Sequence, residues 1–144
     1  TDIITGFPTE TEEDHEATME LMRVVQYDGA YMFKYSPRER TKAWKMGDDV
    51  PDDVKVDRLN RIIEQQQRIS HDINQKHIGT VESILVEGPS KRNQAEWQGR
   101  TDSNKVVIFP HNEETGYIVG DNVQVYIRRA TSATLFGAVV TCGL

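Results

Sequence analysis

The chain has 144 residues, of which 37% are hydrophobic and 28% are charged, and its formal net charge is −6 at pH 7. That length suits one ordinary domain or two small ones, and the acidic balance argues against nucleic-acid binding over the whole surface but not against a local basic patch. The apolar runs are too short to span a membrane. Cys142 is the only cysteine, which excludes an internal disulfide and favours a reducing, cytoplasmic location.

The N-terminal half predicts alternating strands and helices. Residues 1–5 form a short apolar segment, and hydrophobic residues at helical spacing predict an amphipathic helix over 12–26. Thr9 and Glu12 stand at the spacing of a capping box before this helix. Aromatic residues over 30–35 predict a second strand, so a right-handed parallel βαβ unit is expected. Because the chain begins inside a strand, we expect it to be a piece of a larger protein.

A basic, polar stretch and a long helix follow. Residues 36–50 lack clear periodicity and carry several cations around Trp44. These cations beside an aromatic ring suit a phosphate backbone and a stacked base, although a solvated linker is an equally good interpretation. Pro51 lies near the first turn of a helix that is predicted to run to about residue 76, where His77-Ile78-Gly79 ends it.

From Thr80 onward the hydrophobic period changes to two. Short strands are predicted at 81–87, 97–101, 105–109, 123–127 and 135–141. Several short strands separated by Gly- and Pro-containing turns indicate a small closed or partly closed β-barrel. The predicted domains are therefore 1–76 and 77–144.

Two further patterns are candidate sites. The strand–turn–helix junction at Gly6 lets a ligand approach the backbone, and amides at the helix start suit an anion, although an ordinary connection is the simpler interpretation. The predicted barrel carries residues able to contact phosphates, sugars or base edges, unless its charges only promote solubility. These residues are Lys91, Arg92, Arg100, Thr101, Asn104, Lys105, Arg128 and Arg129.

The histidines do not suggest a metal site. His15, His71, His77 and His111 have no metal-ligand spacing to one another or to the cysteine. His15 and His71 are expected on helix surfaces. The sequence also lacks a nucleophile–histidine–acid pattern or a phosphate-binding loop, so we predict no catalytic residue and no metal ligand within this chain.

Two segments together carry a resemblance to a known family. Residues 1–14, TDIITGFPTETEED, resemble the pattern TDIIVGFPGETEED near the end of the catalytic barrel of radical SAM methylthiotransferases. Tyr35-Ser36-Pro37-Arg38 with Thr41 resembles the family's Y-S-x-R-P-G-T loop. Residues 86–91 and 99–110 look like the family's C-terminal TRAM domain, a small RNA-binding β-barrel. Within the family the chain is most similar to the tRNA-modifying branch.

The resemblance implies a fold and a function. Residues 1–76 correspond to the C-terminal part of a partial (β/α) radical SAM barrel with a connecting helix, and 77–144 to a five-stranded, OB-like TRAM barrel. The complete enzyme would use S-adenosylmethionine and two [4Fe–4S] clusters to add a methylthio group to isopentenylated adenosine next to the anticodon. Its TRAM domain would bind the tRNA anticodon stem-loop. The implied S-adenosylmethionine contacts are Asp2, Gly6, Phe7, Tyr35 and Ser36.

The sequence also departs from the family pattern. Thr9 replaces a usual glycine, and Glu39-Arg40 replaces a Pro-Gly pair. The three-cysteine motif that ligates the reactive cluster is absent, and a cluster requires several thiolates, so this chain alone is expected to be inactive. Two alternatives stay open: a relative that modifies an aspartate of a ribosomal protein, and a free-standing RNA-binding module without catalysis.

Overall fold

The structure, a computed structural model, describes residues 1–91, 93, 95–111 and 116–140. The chain forms two compact units, Thr1–Ser70 and His71–Leu144. The elements are β1 (Asp2–Thr5), α1 (Glu12–Val25), β2 (Tyr31–Lys34), α2 (Lys42–Met46), α3 (Asp52–Gln75), β3 (Val81–Pro89), β4 (Glu96–Arg100), β5 (Val106–Pro110), β6 (Asn122–Ala130) and β7 (Thr134–Val139).

The first unit contains the predicted parallel βαβ arrangement. β1 pairs with β2 in parallel, from Asp2 opposite Tyr31 to Thr5 opposite Lys34. One face of this two-stranded sheet is uncovered, since Ile4 and Phe33 pair with each other and each keeps 55% of its surface exposed. Thr5 lies on the opposite face and is buried. The sheet therefore presents one packed face and one exposed apolar face.

The capping box of α1 lies two residues later than the sequence analysis placed it. Thr11 is the N-cap: its hydroxyl accepts a hydrogen bond from the Asp14 amide at 3.1 Å. The Asp14 carboxylate in turn accepts one from the Thr11 amide at 2.9 Å. The Thr9–Glu12 prediction was wrong, because Thr9 has a φ of 72° and precedes the cap. The spacing of a hydroxyl and a carboxylate therefore does not locate an N-cap when the backbone at the hydroxyl residue has a positive φ.

In the first unit, one helix was not predicted and one further expectation was wrong. The stretch 36–50 contains a short helix, α2, whose N-cap Thr41 accepts a hydrogen bond from the Trp44 amide at 3.1 Å. His15 is not a surface residue but is 1% exposed, and its Nδ1 lies 3.4 Å from the Thr5 hydroxyl. The burial follows from the position of His15 on α1, where it faces the packed side of β1.

The second unit is a closed five-stranded barrel, as predicted. Its strand order is β3-β4-β5-β7-β6, with antiparallel neighbours except for the parallel pair β5 and β7. Alternate residues of the strands face inward and form an apolar core. That core consists of Ile84, Val86, Val107, Phe109, Tyr117, Val125, Ile127 and Leu135.

A polar layer closes one end of this barrel. Inward alternation along β3 and β5 continues beyond the apolar core to Glu82 and Lys105. The Lys105 ammonium donates to the Asn74 side-chain oxygen at 3.0 Å, and Asn74 donates to the Thr131 and Ser132 carbonyls at 2.9 and 3.2 Å. The last turn of α3 is thereby bonded to the β6–β7 turn within the second unit.

Within the described ranges, none of the helices combines the length and the apolar composition that a membrane span requires.

Candidate nucleic-acid interface

Strand β6 carries two consecutive arginines on the outside of the barrel. Val125 and Ile127 face the core, and strict alternation would turn Arg129 inward as well. The register of β6 against β7 shifts between Ile127 and Arg129, so a bulge breaks the alternation. Arg128 and Arg129, termed here the arginine pair, are consequently both exposed.

The arginine pair lies on β6, whose sequence NVQVYIRRA carries no acidic residue. Of the two strands that pair with β6, β7 (TLFGAV) also carries none, whereas β3 (VESILVEGP) carries Glu82 and Glu87. Among the described residues, neither arginine forms an ion pair. The guanidinium carbon of Arg129 instead lies 3.7 Å from the centre of the Phe136 ring, opposite it on β7. Two exposed cations that form no ion pair with the described residues are suited to bind an anionic partner.

The structure brings four other predicted RNA contacts together in the β4–β5 turn. Two of them form a network: Arg100 makes an ion pair with Glu87 at 2.9 Å, and it donates to the Asn104 side-chain oxygen at 3.0 Å. Asn104 has a φ of 65°, which Asn tolerates better than most residues. These two side chains shape the turn, and the carboxylate of Glu87 offsets part of the charge that Arg100 offers to RNA.

The other two predicted contacts in this turn, Thr101 and Lys105, form hydrogen bonds within the barrel. The Thr101 side chain is buried, and its hydroxyl accepts a hydrogen bond from the Lys105 amide at 3.0 Å. Lys105 belongs to the polar layer described above and bonds to Asn74. Both residues therefore support the end of the barrel, in addition to any RNA contact.

The arginine pair and the β4–β5 turn lie at the same end of the barrel. β5 and β7 run in parallel and start side by side, with Val106 opposite Thr134, so the turns that precede them are neighbours. Lys91 is exposed in the β3–β4 turn, at the other end of β4. Arg92 lies outside the described residues. The predicted RNA contacts are thus divided between the two ends of the barrel.

Two titratable side chains flank the polar layer. His77 Nδ1 lies 2.8 Å from Glu82 Oε1, which also accepts a hydrogen bond from the Thr80 hydroxyl at 2.8 Å. Burial acts to raise the pKa of Glu82, but the hydrogen bonds from His77 and Thr80 and the charges of His77 and Lys105 outweigh it and lower the pKa. Glu82 consequently favours its ionised form as a carboxylate facing Lys105.

In the first unit, Gly6 faces a lysine rather than open space. Its φ is 70°, and a Cβ built on it would lie 2.4 Å from Cγ of Lys55. Lys55 is 3% exposed, forms an ion pair with Asp48, and places its ammonium 5.4 Å from the centre of the Tyr35 ring. The absence of a Cβ at Gly6 thus lets the aliphatic part of the Lys55 side chain, rather than a ligand, approach the backbone.

A second buried cation organises the start of α1. Arg58 is 5% exposed and donates to the Glu10 carboxylate at 2.8 Å, while that carboxylate accepts from the Gly6 amide at 2.9 Å. Arg58 also bonds to Glu12, and a hydrogen bond from Arg61 is the largest influence that lowers the pKa of Glu12. Lys55, Arg58 and Arg61 were not predicted as site residues; their i, i+3, i+6 spacing on one helix was the available signal.

The remaining predicted cofactor contacts are dispersed. Phe7 is 41% exposed and packs edge-on against the buried Tyr35, with ring centres 5.3 Å apart. Asp2 lies at the start of β1, at the opposite end of that strand from Gly6, and Ser36 is exposed after β2. The structure therefore gathers Gly6, Phe7 and Tyr35 but not Asp2 at the strand ends.

The donor set of this chain does not fit an iron–sulfur cluster. The sequence supplies one cysteine, Cys142, which lies outside the described residues. Within the described part of the chain, no three His, Cys, Asp or Glu side chains are grouped so that they would hold a metal ion. Cluster ligation needs several thiolates, so the two clusters that the resemblance implies have no ligand set here.

Comparison with known proteins places these features in a family. Residues 75–140 match the TRAM domain family. The chain is 51% identical over 138 residues to tRNA-2-methylthio-N(6)-dimethylallyladenosine synthase of Chloroherpeton thalassium, and 51% identical over 140 residues to that of Porphyromonas gingivalis. Residues 75–140 are thus a TRAM domain, and nearly the whole chain is similar to part of these methylthiotransferases. A Bacteroides thetaiotaomicron relative of the same name is 49% identical over 141 residues.

The match covers most of this chain but a minor part of its relatives. The three alignments span 95%, 96% and 97% of the chain and 30% of each methylthiotransferase. The family that the two motif segments indicated is confirmed, as is the TRAM barrel. The RNA and S-adenosylmethionine contacts assigned to individual residues stay predictions.

Proposed function

We propose that this chain is the C-terminal part of a tRNA methylthiotransferase, which adds a methylthio group to isopentenylated adenosine next to the anticodon. The identity of 51% over 95% of the chain to a tRNA-2-methylthio-N(6)-dimethylallyladenosine synthase carries the proposal. The exposed arginine pair on the TRAM barrel supports tRNA as the partner, because exposed cations that form no ion pair with the described residues are suited to phosphates. We further propose a cytoplasmic location and the anticodon stem-loop as the bound region.

The N-terminal part of the same enzyme is the second proposed partner. Ile4 and Phe33 are each 55% exposed on the open face of the two-stranded sheet, and Tyr31 on that face is 74% exposed. Contiguous exposed apolar side chains of this kind mark an interaction surface. We propose that the rest of the catalytic barrel covers them, and that it supplies every cluster ligand. On this account the chain is inactive by itself.

S-adenosylmethionine and the clusters would supply the radical chemistry in the complete enzyme, and on this proposal the chain contributes no ligand to the clusters. At the ends of β1 and β2, this chain contributes a turn that is held in place by buried ion pairs. Lys55 and Arg58 are buried and paired with carboxylates, so they hold the turn at Gly6 and leave the Phe7 ring partly exposed. We propose that Phe7 and the Gly6 backbone border the S-adenosylmethionine pocket, with Asp2, Tyr35 and Ser36 as further contacts.

A chimaera tests the proposed function. The last part of the Porphyromonas gingivalis relative is replaced by this chain, and the hybrid is expressed in a strain that lacks the modification. Mass spectrometry of tRNA nucleosides is expected to show the methylthio group. A hybrid carrying Arg128→Glu and Arg129→Glu serves as the matched variant and is expected to modify less tRNA. Unmodified tRNA together with a methylthiolated ribosomal-protein aspartate would overturn the proposal.

A further inference from the structure

The Arg129–Phe136 contact has the geometry of a stacking platform. The guanidinium carbon lies over the ring and 3.7 Å from its centre, which is the separation of a stacked cation–π contact. Arg129 is exposed, and it forms no ion pair within the part of the chain that the structure describes. The opposite face of the guanidinium and its edge N–H groups are thereby left for another group.

We propose that Arg129 and Phe136 hold an unpaired nucleobase of the RNA, which stacks on the outer face of the guanidinium while Arg128 contacts an adjoining phosphate. The inference rests on the proposed function, because it names the part of the RNA that this barrel recognises. Arginine is suited to this task, since its guanidinium is planar, always charged and weakly hydrated. Stacking on an aromatic or guanidinium plane is the usual means of holding a base that is not paired.

The platform is fixed by the neighbouring backbone. Gln75 donates to the Ala130 carbonyl at 3.1 Å, and Asn74 donates to the Thr131 carbonyl at 2.9 Å, so the chain immediately after Arg129 is bonded to the end of α3. On β7, a Cβ at Gly137 would lie 2.3 Å from the Tyr126 carbonyl oxygen. Only glycine permits this approach of the strands beside Phe136. Such fixed positions reduce the entropy that is lost when a base binds.

The bulge in β6 explains why both arginines are available to bind RNA. Without it, Arg129 would face the core and Arg128 alone would be exposed. With it, one arginine rests on a ring and the other extends from the barrel without an aromatic partner among the described residues. The first arrangement suits a planar base and the second suits a phosphate. A double-stranded RNA offers phosphates but no free base face, so the platform favours loops over stems.

Charge-preserving variants test the platform. The 144-residue chain is titrated with an anticodon stem-loop that carries 2-aminopurine at one unpaired loop position at a time, and with a duplex of the same stem. Arg129→Lys is expected to weaken stem-loop binding about five- to tenfold and to remove the 2-aminopurine quenching at one position, because the base loses the plane on which it stacks. Duplex binding is expected to stay unchanged. Arg68→Lys, on an exposed part of α3, is the matched control.

Two further variants separate stacking from charge. Phe136→Leu keeps an apolar side chain and is expected to reproduce the loss of quenching, with circular dichroism confirming that the barrel is folded. Arg128→Gln is expected to weaken stem-loop and duplex alike and to leave quenching at saturation intact. If the wild type binds the stem-loop and Arg129→Lys matches it in affinity and quenching, the platform is overturned and the proposed function stands. If the wild type binds no RNA at low salt, or prefers an acidic peptide, both are overturned.

Discussion

The Lys105 ammonium lies 3.0 Å from the side-chain oxygen of Asn74, whose amide nitrogen donates to the Thr131 carbonyl at 2.9 Å. Asn74 is 5% exposed, so these bonds form where water has little access. The Asn74 side chain thus links a cation of the β4–β5 turn with the β6–β7 turn that follows the arginine pair. This arrangement makes Asn74 a support of the proposed RNA surface, although the residue itself is not available to RNA.

Replacing Asn74 is expected to destabilise the barrel. Asn74→Leu has nearly the same size but leaves the Thr131 and Ser132 carbonyls without their side-chain donor, at a cost of about 1–3 kcal/mol. Urea unfolding followed by Trp97 fluorescence, in a background where Trp44 is replaced by Phe, measures the loss. Asn122→Leu, at an exposed position of β6, is the control and is expected to change stability by less than about 0.5 kcal/mol. Equal effects of the two changes would contradict the role of Asn74.

Gly6 is expected to tolerate no side chain. Gly6→Ala adds a Cβ at a φ of 70° and within 2.4 Å of the Lys55 stem, whereas Gly116→Ala adds one at a φ of 67° with no atom within 4 Å. Backbone strain applies to both variants, and it costs about 1–2 kcal/mol. Only Gly6→Ala must also displace Lys55 from its ion pair with Asp48. Thermal unfolding followed by helical circular dichroism should show the larger loss for Gly6→Ala, and an equal loss would mean that Lys55 moves away freely.

Thr9 is expected to be a strained position. It has a φ of 72°, which is unfavourable for a β-branched residue, and the family pattern has glycine there. Thr9→Gly is therefore expected to stabilise the first unit by up to about 1 kcal/mol, and Thr9→Ala by less, since alanine keeps a Cβ. Comparison of the two urea midpoints checks this. A Thr9→Gly variant less stable than Thr9→Ala would indicate that the Thr9 side chain contributes more than its strain costs.

His15 is expected to make the first unit sensitive to acid. Burial is the main cause that lowers the pKa of His15 from its usual 6.5; the Arg61 and Arg58 charges also lower it, against the Glu12 and Glu10 charges. Below pH 6.5 the unfolded chain therefore binds a proton that the folded chain resists. The contribution of neutral His15 to the free energy of unfolding is therefore fully present above pH 6.5. It falls as the pH is lowered, by at most about 1.4 kcal/mol per pH unit for one proton.

A glutamine at this position removes that proton linkage. His15→Gln is expected to lose less stability between pH 7.5 and 5.5 than the wild type, by urea unfolding followed by helical circular dichroism. His71→Gln is the control, because the side chain of His71 is 52% exposed and does not share the burial of His15. A wild-type slope that survives in His15→Gln would assign the acid sensitivity to another group.

Much of the fold could be predicted because periodicity is a local property. The change from helical spacing to alternation near residue 80 separated the barrel strands from α3, and the strands were located to within a few residues. The N-cap was misplaced because it depends on backbone torsion at Thr9, which the residue type does not reveal. α2 was missed because a helix of five residues shows too little periodicity.

The site was less predictable, because it depends on long-range contacts. The sequence singled out Arg128 and Arg129, but it did not reveal that a bulge exposes both, nor that Phe136 on another strand lies under one of them. Thr101 and Lys105 were chosen by residue type, whereas their roles follow from burial and from the contact with Asn74. Lys55 and Arg58 were passed over because cations on a helix are usually exposed.

RNA binding by the intact chain tests the central claim most directly. Fluorescence anisotropy with a labelled anticodon stem-loop is measured between 50 and 200 mM salt for the wild type and for Arg128→Glu/Arg129→Glu. The account predicts that wild-type binding weakens as the salt concentration rises. The Arg128→Glu/Arg129→Glu variant is expected to bind more weakly, and the slope of its log affinity against log salt concentration is expected to be shallower by about one to two, because fewer counterions are released when fewer phosphates are contacted. A reversed pair that binds with unchanged affinity and slope would contradict it.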